Sequence, residues 1–240
     1  MAATPFSLSA PVYDLLYEAS GKDYAAEAAA LHDLIQRWRP GAASLLDVAC
    51  GTGAHLAHLR RWYDVAGVDV EPAMIGQAQG RLPEADLRVG DMRSLRLGRR
   101  FDAVICLFSS IGYMRSPDEL ALAVAAMAGH LAPGGVLVVD GWLRPAAWRD
   151  PGLVHALAAG GGDLAAARVG VSRRDGRRTH LAMHHLVGTP DGVEHVVEHH
   201  ELTLFDDAEY REAFRRADVA VEVVDSPLVD RDRYVATRAQ

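Results

Sequence analysis

The sequence predicts an α/β fold: a doubly wound parallel sheet followed by an appended antiparallel β-meander. Two observations carry this expectation. Between residues 44 and 140, short apolar runs alternate with segments of helical period, the spacing of βαβ units. From about residue 165 to 205 the period changes to two. There Asp175-Gly176 and Pro190-Asp191-Gly192 separate the alternating runs as hairpin turns do.

Each element has its own local reason. Residues 12–40 read as one helix, with Ala28, Leu31, Leu34, Ile35 and Trp38 at helical spacing and Pro40-Gly41 as its stop. SLLDVACGTG is a short apolar strand running into a glycine turn, and HLAHLRRW is the helix after it. Residues 65–69 form the second strand, 72–81 the second helix and 87–89 a short third strand. FDAVICLF is a continuous apolar run, as expected of a strand covered on both faces. ELALAVAAMAGHL is an amphipathic helix that stops at Pro133-Gly134-Gly135, and GVLVVDGW is strand five. The meander comprises AARVGVSRR, THLAMHHLV and VEHVVEHHELTLF, preceded by a stretch expected to be the most flexible, AAGGG at 158–162. DDAEYREAFRRA is a helix capped by Asp206 or Asp207, and VAVEVVDS and RYVATR close the fold as strands. Three segments result: 1–145 with an N-terminal helical lid, the meander at 146–205, and a closing helix and strands at 206–240.

Composition narrows the function classes. The chain is 50% hydrophobic and 24% charged with a formal net charge of −7, which is globular and excludes collagen-like or wholly disordered chains. No run approaches the roughly 18 apolar residues of a membrane span. MAATPFSLSAPVYD lacks a basic region followed by an apolar core, so a cytoplasmic protein with no membrane partner is expected. The acidic balance argues against a nucleic-acid partner. Cys50 and Cys106 belong to no CxxC pair and read as free, buried thiols. Six of the 11 histidines lie between His180 and His200. Strand residues four apart on one face are about 13 Å apart, too far to share an ion, so no metal is expected. Lys22 is the only lysine. Codon preference in a GC-rich genome explains the arginines elsewhere; a local role explains why this position alone is not arginine.

The glycine turn is where chemistry enters. Gly51 and Gly53 allow close backbone approach to a ligand at a helix N-terminus. The spacing is not G-x-G-x-x-G, which disfavours NAD. Asp69 ends the second strand, where a carboxylate can accept both hydroxyls of a ribose. Gly90-Asp91-Met92 follows the third strand, an acid plus an apolar residue able to hold an adenine. Singly, Asp69 and Asp91 could be cap or turn residues; together, in this strand order, they point to an adenosine ligand.

LLDVACGTG, VDVEP, GDMRSL, FDAVICLF and LAPGGVLVV together resemble class I S-adenosylmethionine-dependent methyltransferases over residues 44–140. The resemblance implies a Rossmann-like methyltransferase sheet and S-adenosyl-L-methionine as cofactor. It implies that Ala49, Gly51 and Gly53 line the methionine part, that Asp69 and Val70 meet the ribose with Met74 nearby, that Asp91 and Met92 frame the adenine, and that Leu107 offers backbone near the sulfonium. VYDLLY, GKDYAAEA, FSSIGYM and HELTLFDDAEYREAF look more narrowly like the bacterial TDP-aminosugar N,N-dimethyltransferases of the desosamine and mycaminose type. That resemblance implies a homodimer and a TDP-aminosugar held between main sheet and meander. By position it implies Tyr17 and Tyr24 closing over the cofactor's carboxylate end, and Ser109, Ser110 and Tyr113 lining the substrate pocket. Trp142 and His200 are further substrate candidates, and Arg231, or Arg233, suits a diphosphate because a guanidinium can bind it bidentately. The departures are Leu143 after Trp142, Tyr113 where some relatives carry histidine, and SPLVDRDRYVATR in place of a glycine-rich segment.

Methyl transfer from a sulfonium is a direct displacement that needs an uncharged amine in line, so proximity supplies most of the acceleration and a base is optional. Tyr113, Tyr13 and His184 are the candidates to position the amine or take its proton. The alternatives are a small-molecule N- or O-methyltransferase with a non-sugar acceptor, and a non-catalytic cofactor-binding regulator.

Overall fold

The computed structural model describes residues 6, 9–149, 151–224 and 231–239. The end of VAVEVVDS and the start of SPLVDRDRYVATR fall outside the described residues.

The first half alternates as expected: β1 (Ser44–Val48), α3 (Ala54–Leu59), β2 (Asp64–Asp69), α4 (Pro72–Arg81), β3 (Asp86–Val89), β4 (Phe101–Cys106), α5 (Pro117–Gly129) and β5 (Leu131–Asp140). Two helices precede them, α1 (Tyr13–Ala19) and α2 (Tyr24–Trp38). The single helix expected over 12–40 is therefore broken. Gly21 takes a φ of +89°, and the Asp23 carboxylate accepts the Ala26 amide to cap a new helix. At the other end of this half, Pro133-Gly134-Gly135 lies inside β5 rather than stopping α5. Leu131 already pairs with Phe101, and a register shift between Phe101 and Ala103 absorbs the irregularity.

α6 (Asp207–Arg216), β10 (Ala220–Val224) and β11 (Arg233–Thr237) complete a seven-stranded sheet of order β10-β11-β5-β4-β1-β2-β3. β1 to β5 are parallel, and β11 and β10 are added antiparallel. Asp206 forms a capping box with Glu209 at the start of α6. Leu45, Leu46, Ala103, Val104 and Ile105 are fully buried because both faces are covered. Leu31, Ile35, Leu56 and Ala78 of α2, α3 and α4 pack on one face; Leu120, Met127, Tyr210 and Phe214 of α5 and α6 pack on the other. From β1 the chain winds first toward β2 and β3, then back through β4. The carboxyl ends of β1 and β4 thus diverge at a switch point, where α/β sheets form their clefts.

The second sheet is four antiparallel strands: β6 (Val154–Gly161), β7 (Leu164–Asp175), β8 (Arg178–Thr189) and β9 (Gly192–Thr203). β6 corrects the expectation of a flexible AAGGG stretch. Alanine and glycine have weak strand propensity, but here each pairs with β7 from Val154↔Val171 to Gly161↔Leu164. Their small side chains also leave room for α1, whose Leu16 packs against Leu157, Ala159 and Ala166. The N-terminal helix thus bridges the two sheets.

Candidate active site

The turns after β1 and β4 build the site. Ala49 and Gly51 adopt left-handed φ of +65° and +55°, while the Ala49 and Cys50 amides donate to Val68 O (2.7 and 3.0 Å). The Gly51 amide donates to Asp69 Oδ2 (2.8 Å) and the Glu71 amide to Asp69 Oδ1 (2.9 Å). Burial nevertheless dominates and raises the Asp69 carboxyl above its usual range. A Cβ at Gly51 would project into open space. After β4, Phe108 and Ser109 are consecutive non-glycine residues with φ of +54° and +64°. Such strain persists only where surroundings over-determine it. Here the Ser109 hydroxyl donates to Gly141 O (2.6 Å) and accepts from Arg231 (2.8 Å), and the Phe108 amide donates to Asp140 (3.3 Å). The turn drives the Phe108 ring into the cleft.

The cleft is a cavity of about 250 Å³ between the switch point and the inner face of the meander. It brings together Tyr13, Tyr17, Ala49, Gly51, Asp69, Met74, Ser110, Tyr113, Trp142, His200 and Arg231. A narrower recess of about 50 Å³ shares Tyr13, Ala49, Gly51 and Ser110 and adds Tyr24 and Leu107. The Trp142 indole donates to Thr179 (3.2 Å), which fixes its plane. Arg231 spans the Phe108 and Trp142 rings at 4.9 and 5.4 Å. Arg233 is instead consumed in a buried pair with Asp140 (2.7 and 3.1 Å), so of the two candidates Arg231 is the one that lines the cleft.

Other sequence candidates stand elsewhere. Gly53 keeps its positive φ but packs beneath Ala78, where a Cβ would come within 3.2 Å. Val70 is 67% exposed beside Asp69. Asp91 is held by the Arg93 amide (2.8 Å) and guanidinium, which lowers its carboxyl, and Met92 packs against the core. Ser109 is buried behind the cavity wall. His184 is a correction: it faces outward, stacked on His195 with centroids 5.4 Å apart. The strand alternates faces, so with Met183 and His185 buried inward, His184 cannot share their cavity.

Arg168, Glu27 and His55 were not singled out from sequence, whereas Lys22 was, as the chain's one lysine. Arg168 of β7 is buried with its guanidinium 4.8 Å from the Tyr17 ring. Its signal was a charge at an inward position between Ala166 and Gly170. Lys22 Nζ donates to both Glu27 oxygens (2.9 and 2.7 Å) and sits 4.2 Å over the Phe108 ring. Glu27 also meets His55 Nε2 at 2.8 Å. This cluster forms the rim of the recess.

The recess also tests whether a cationic cofactor fits. Asp47 is 2% exposed, and its Oδ1 has no hydrogen-bond partner. Burial, and then Asp69, push its carboxyl well above the usual range. An orphaned buried carboxylate is costly unless a cation or donor enters. Tyr13 also lines the recess, an aromatic ring of the kind that favours a sulfonium. S-adenosylmethionine carries an ammonium and a sulfonium, and the residues present fit it.

A family described as a methyltransferase domain matches residues 45–135. The chain is 45% identical over 232 residues to the dTDP-3-amino-3,4,6-trideoxy-alpha-D-glucopyranose N,N-dimethyltransferase of Streptomyces venezuelae, covering 96% of this chain and 98% of that protein. Its fold matches the crystal structure of Streptomyces venezuelae DesVI with a TM-score of 0.91 at 45% identity, over 96% and 98% of the two chains. It matches SAM-bound CalS10, an amino pentose methyltransferase from Micromonospora echinaspora, with a TM-score of 0.85 at 41% identity, over 95% and 97%. With the switch-point cleft, the left-handed turns and the orphaned carboxylate, these likenesses make the chain an S-adenosylmethionine-dependent N-methyltransferase that belongs to the family of TDP-aminosugar N,N-dimethyltransferases.

Proposed function

We propose that the chain dimethylates the amine of a TDP-linked amino-deoxysugar, with the C3 amine as acceptor. The observation that supports this most directly is the composition of one cleft bounded by both sheets. Asp69 lines the cleft with Arg231, Trp142, Tyr113 and His200, and Asp47 lines the adjoining recess that shares Tyr13, Ala49 and Gly51 with it. In this reading residues 1–145 form the cofactor half, with the N-terminal helices as a lid. The meander at 146–205 forms the sugar wall, and 206–240 closes the sheet.

S-adenosylmethionine supplies a methyl group on a positively charged sulfur, already activated for displacement. The chain binds and orients. Ala49 and Gly51 would hold the methionine part, with Asp47 meeting its positive charge. Two lone-pair sites of Asp69 are used by backbone amides, and its remaining sites can accept ribose hydroxyls. Tyr17 and Tyr24 would close over the carboxylate end, with Lys22 at the rim. Arg231 would take the diphosphate, while Trp142, Ser110 and Tyr113 would fix the sugar. A dry, aromatic wall favours the neutral form of the amine, which displacement requires.

We also propose a homodimer through the outer face of the meander, where Val154, Val169, Val171, Leu186 and Val193 are exposed. Mass spectrometry of a panel of TDP-aminosugars incubated with protein and S-adenosylmethionine tests the reading. Mono- and dimethyl products from a 3-amino sugar are expected. Intact cofactor binding with no methylated sugar in the panel would overturn it.

A further inference from the structure

Glu198 and His200 lie two residues apart on β9, both facing inward and nearly inaccessible at 3% and 2% exposure. Tyr113 Oη is 2.8 Å from His200 Nδ1, and His200 Nε2 is 3.8 Å from Glu198 Oε2. The same carboxylate oxygen is 3.5 Å from His185 Nε2 on β8. The Ser9 hydroxyl donates to Oε2 (2.8 Å) and the Ser9 amide to Oε1 (3.0 Å). Phe6 covers the arrangement, its ring 4.5 Å from that of His200 and 6.3 Å from that of Tyr113. Besides His200, the charged or titratable groups facing Tyr113 are Tyr13 and Tyr17 of α1, Asp69 at the end of β2, and Glu198.

The tautomer follows from these contacts. Burial works against ionised Glu198, but His185, His200 and Ser9 more than offset it and hold the carboxyl well below its usual range. At 3.8 Å Glu198 does not hydrogen-bond His200 Nε2, but its negative charge favours the proton on that nitrogen, which leaves Nδ1 to accept from the Tyr113 hydroxyl. Burial raises the Tyr113 phenol far above its usual value, so it stays protonated as that donor.

We propose that Tyr113, His200 and Glu198 form a proton relay that unloads the sugar nitrogen between its two methylations, with Glu198 and Ser9 as positioning residues. This rests on the reading above that the acceptor is a sugar amine. The first transfer leaves a secondary ammonium, which has no lone pair for a second displacement. In the relay one ammonium N–H bond breaks as its proton passes to Tyr113 Oη. The Tyr113 O–H bond breaks as its own proton passes to His200 Nδ1. The products are a neutral secondary amine and an imidazolium whose Nε2–H faces Glu198. No electrons are exchanged and no co-reactant is needed, and the proton leaves to water when the cleft opens.

The test is Glu198→Gln, read by the ratio of mono- to dimethyl product, by the pH profile of the second methylation, and by the nitrogen shifts of His200 in NMR. The expected result is accumulation of monomethyl sugar, with kcat for the second step lower by on the order of 10²-fold. KM is unchanged, the rate recovers as pH rises, and the His200 tautomer is altered. A wild-type product ratio and rate, or an unaltered tautomer, overturns the relay. Folding is checked by S-adenosylmethionine binding. If Glu198→Gln fails that check, Tyr113→Phe carries the same expectation, and a wild-type ratio from it overturns the proposal. If wild-type protein methylates no sugar, the substrate reading fails. The NMR comparison, made without sugar, still reads the Glu198–His200 pairing separately.

Discussion

Replacing Asp69 with alanine separates a ribose-binding carboxylate from a turn-holding one. Its oxygens each accept one backbone amide, at 2.8 and 2.9 Å, and retain lone pairs toward the cavity. Two hydroxyl-to-carboxylate bonds at ~1.5 kcal/mol each amount to ~3 kcal/mol, or roughly 10²-fold in Kd. Calorimetry with S-adenosylmethionine should therefore show about a hundredfold loss for Asp69→Ala. Part of any loss could come from a relaxed Gly51 turn, so the decisive comparison is a double-mutant cycle. A cofactor analogue lacking one ribose hydroxyl should bind wild-type protein about tenfold more weakly and should cost Asp69→Ala nothing further. Equal penalties on both proteins would refute ribose recognition by Asp69, whatever the single-variant affinity.

Asp47→Asn should stabilise the cofactor-free protein while weakening cofactor binding. Burial raises this carboxyl, so the folded state holds its proton more tightly than the unfolded chain does. Above the raised folded value the ionised group costs stability, and the cost fades as pH falls through that value toward the unfolded one. Calorimetry should show Tm higher by roughly 5 °C at neutral pH and a flatter acid-side profile, and a lower Tm would contradict this. Arg231→Lys should raise KM for the TDP-sugar about tenfold at unchanged cofactor affinity, because an ammonium cannot reproduce the planar fork. Lys22→Arg should raise KM for S-adenosylmethionine about threefold, because Nζ is enclosed by Glu27 and the Phe108 ring; wild-type kinetics would return this lysine to codon preference. Leu186→Glu combined with Val193→Glu should shift sedimentation to monomer with the fold retained, and an unchanged species would remove that face as the interface.

How much was legible follows from where each signal lies. The run from β1 to β5 could be read because its determinants are local: an apolar run, a glycine turn, a cap. The place of Asp69 at the end of β2, beside the glycine turn, followed from strand order. The break at Gly21 was hidden because a glycine inside a helical pattern is usually tolerated, and only the Asp23 cap makes it a boundary. The meander was harder for a physical reason. Alternation reveals two faces but not which one turns inward, and here both faces mix polar and apolar residues. The inward face carries Arg168, His185, Glu198 and His200, whereas the outward face exposes Val169, Val171, Leu186 and Val193. Because both faces are mixed, hydrophobicity alone does not orient the sheet, and that is why His184 and His200 looked equivalent in sequence. What decides the matter is α1, which packs Leu16 on Ala166 and commits Arg168 to the Tyr17 ring. Charged and titratable side chains at buried positions of a sheet are costly, so Arg168, Glu198 and His200 mark the inward face as more than a packing surface. The exposed Val169, Val171, Leu186 and Val193 on its outer face are in turn the physical case for testing self-association on the same four strands.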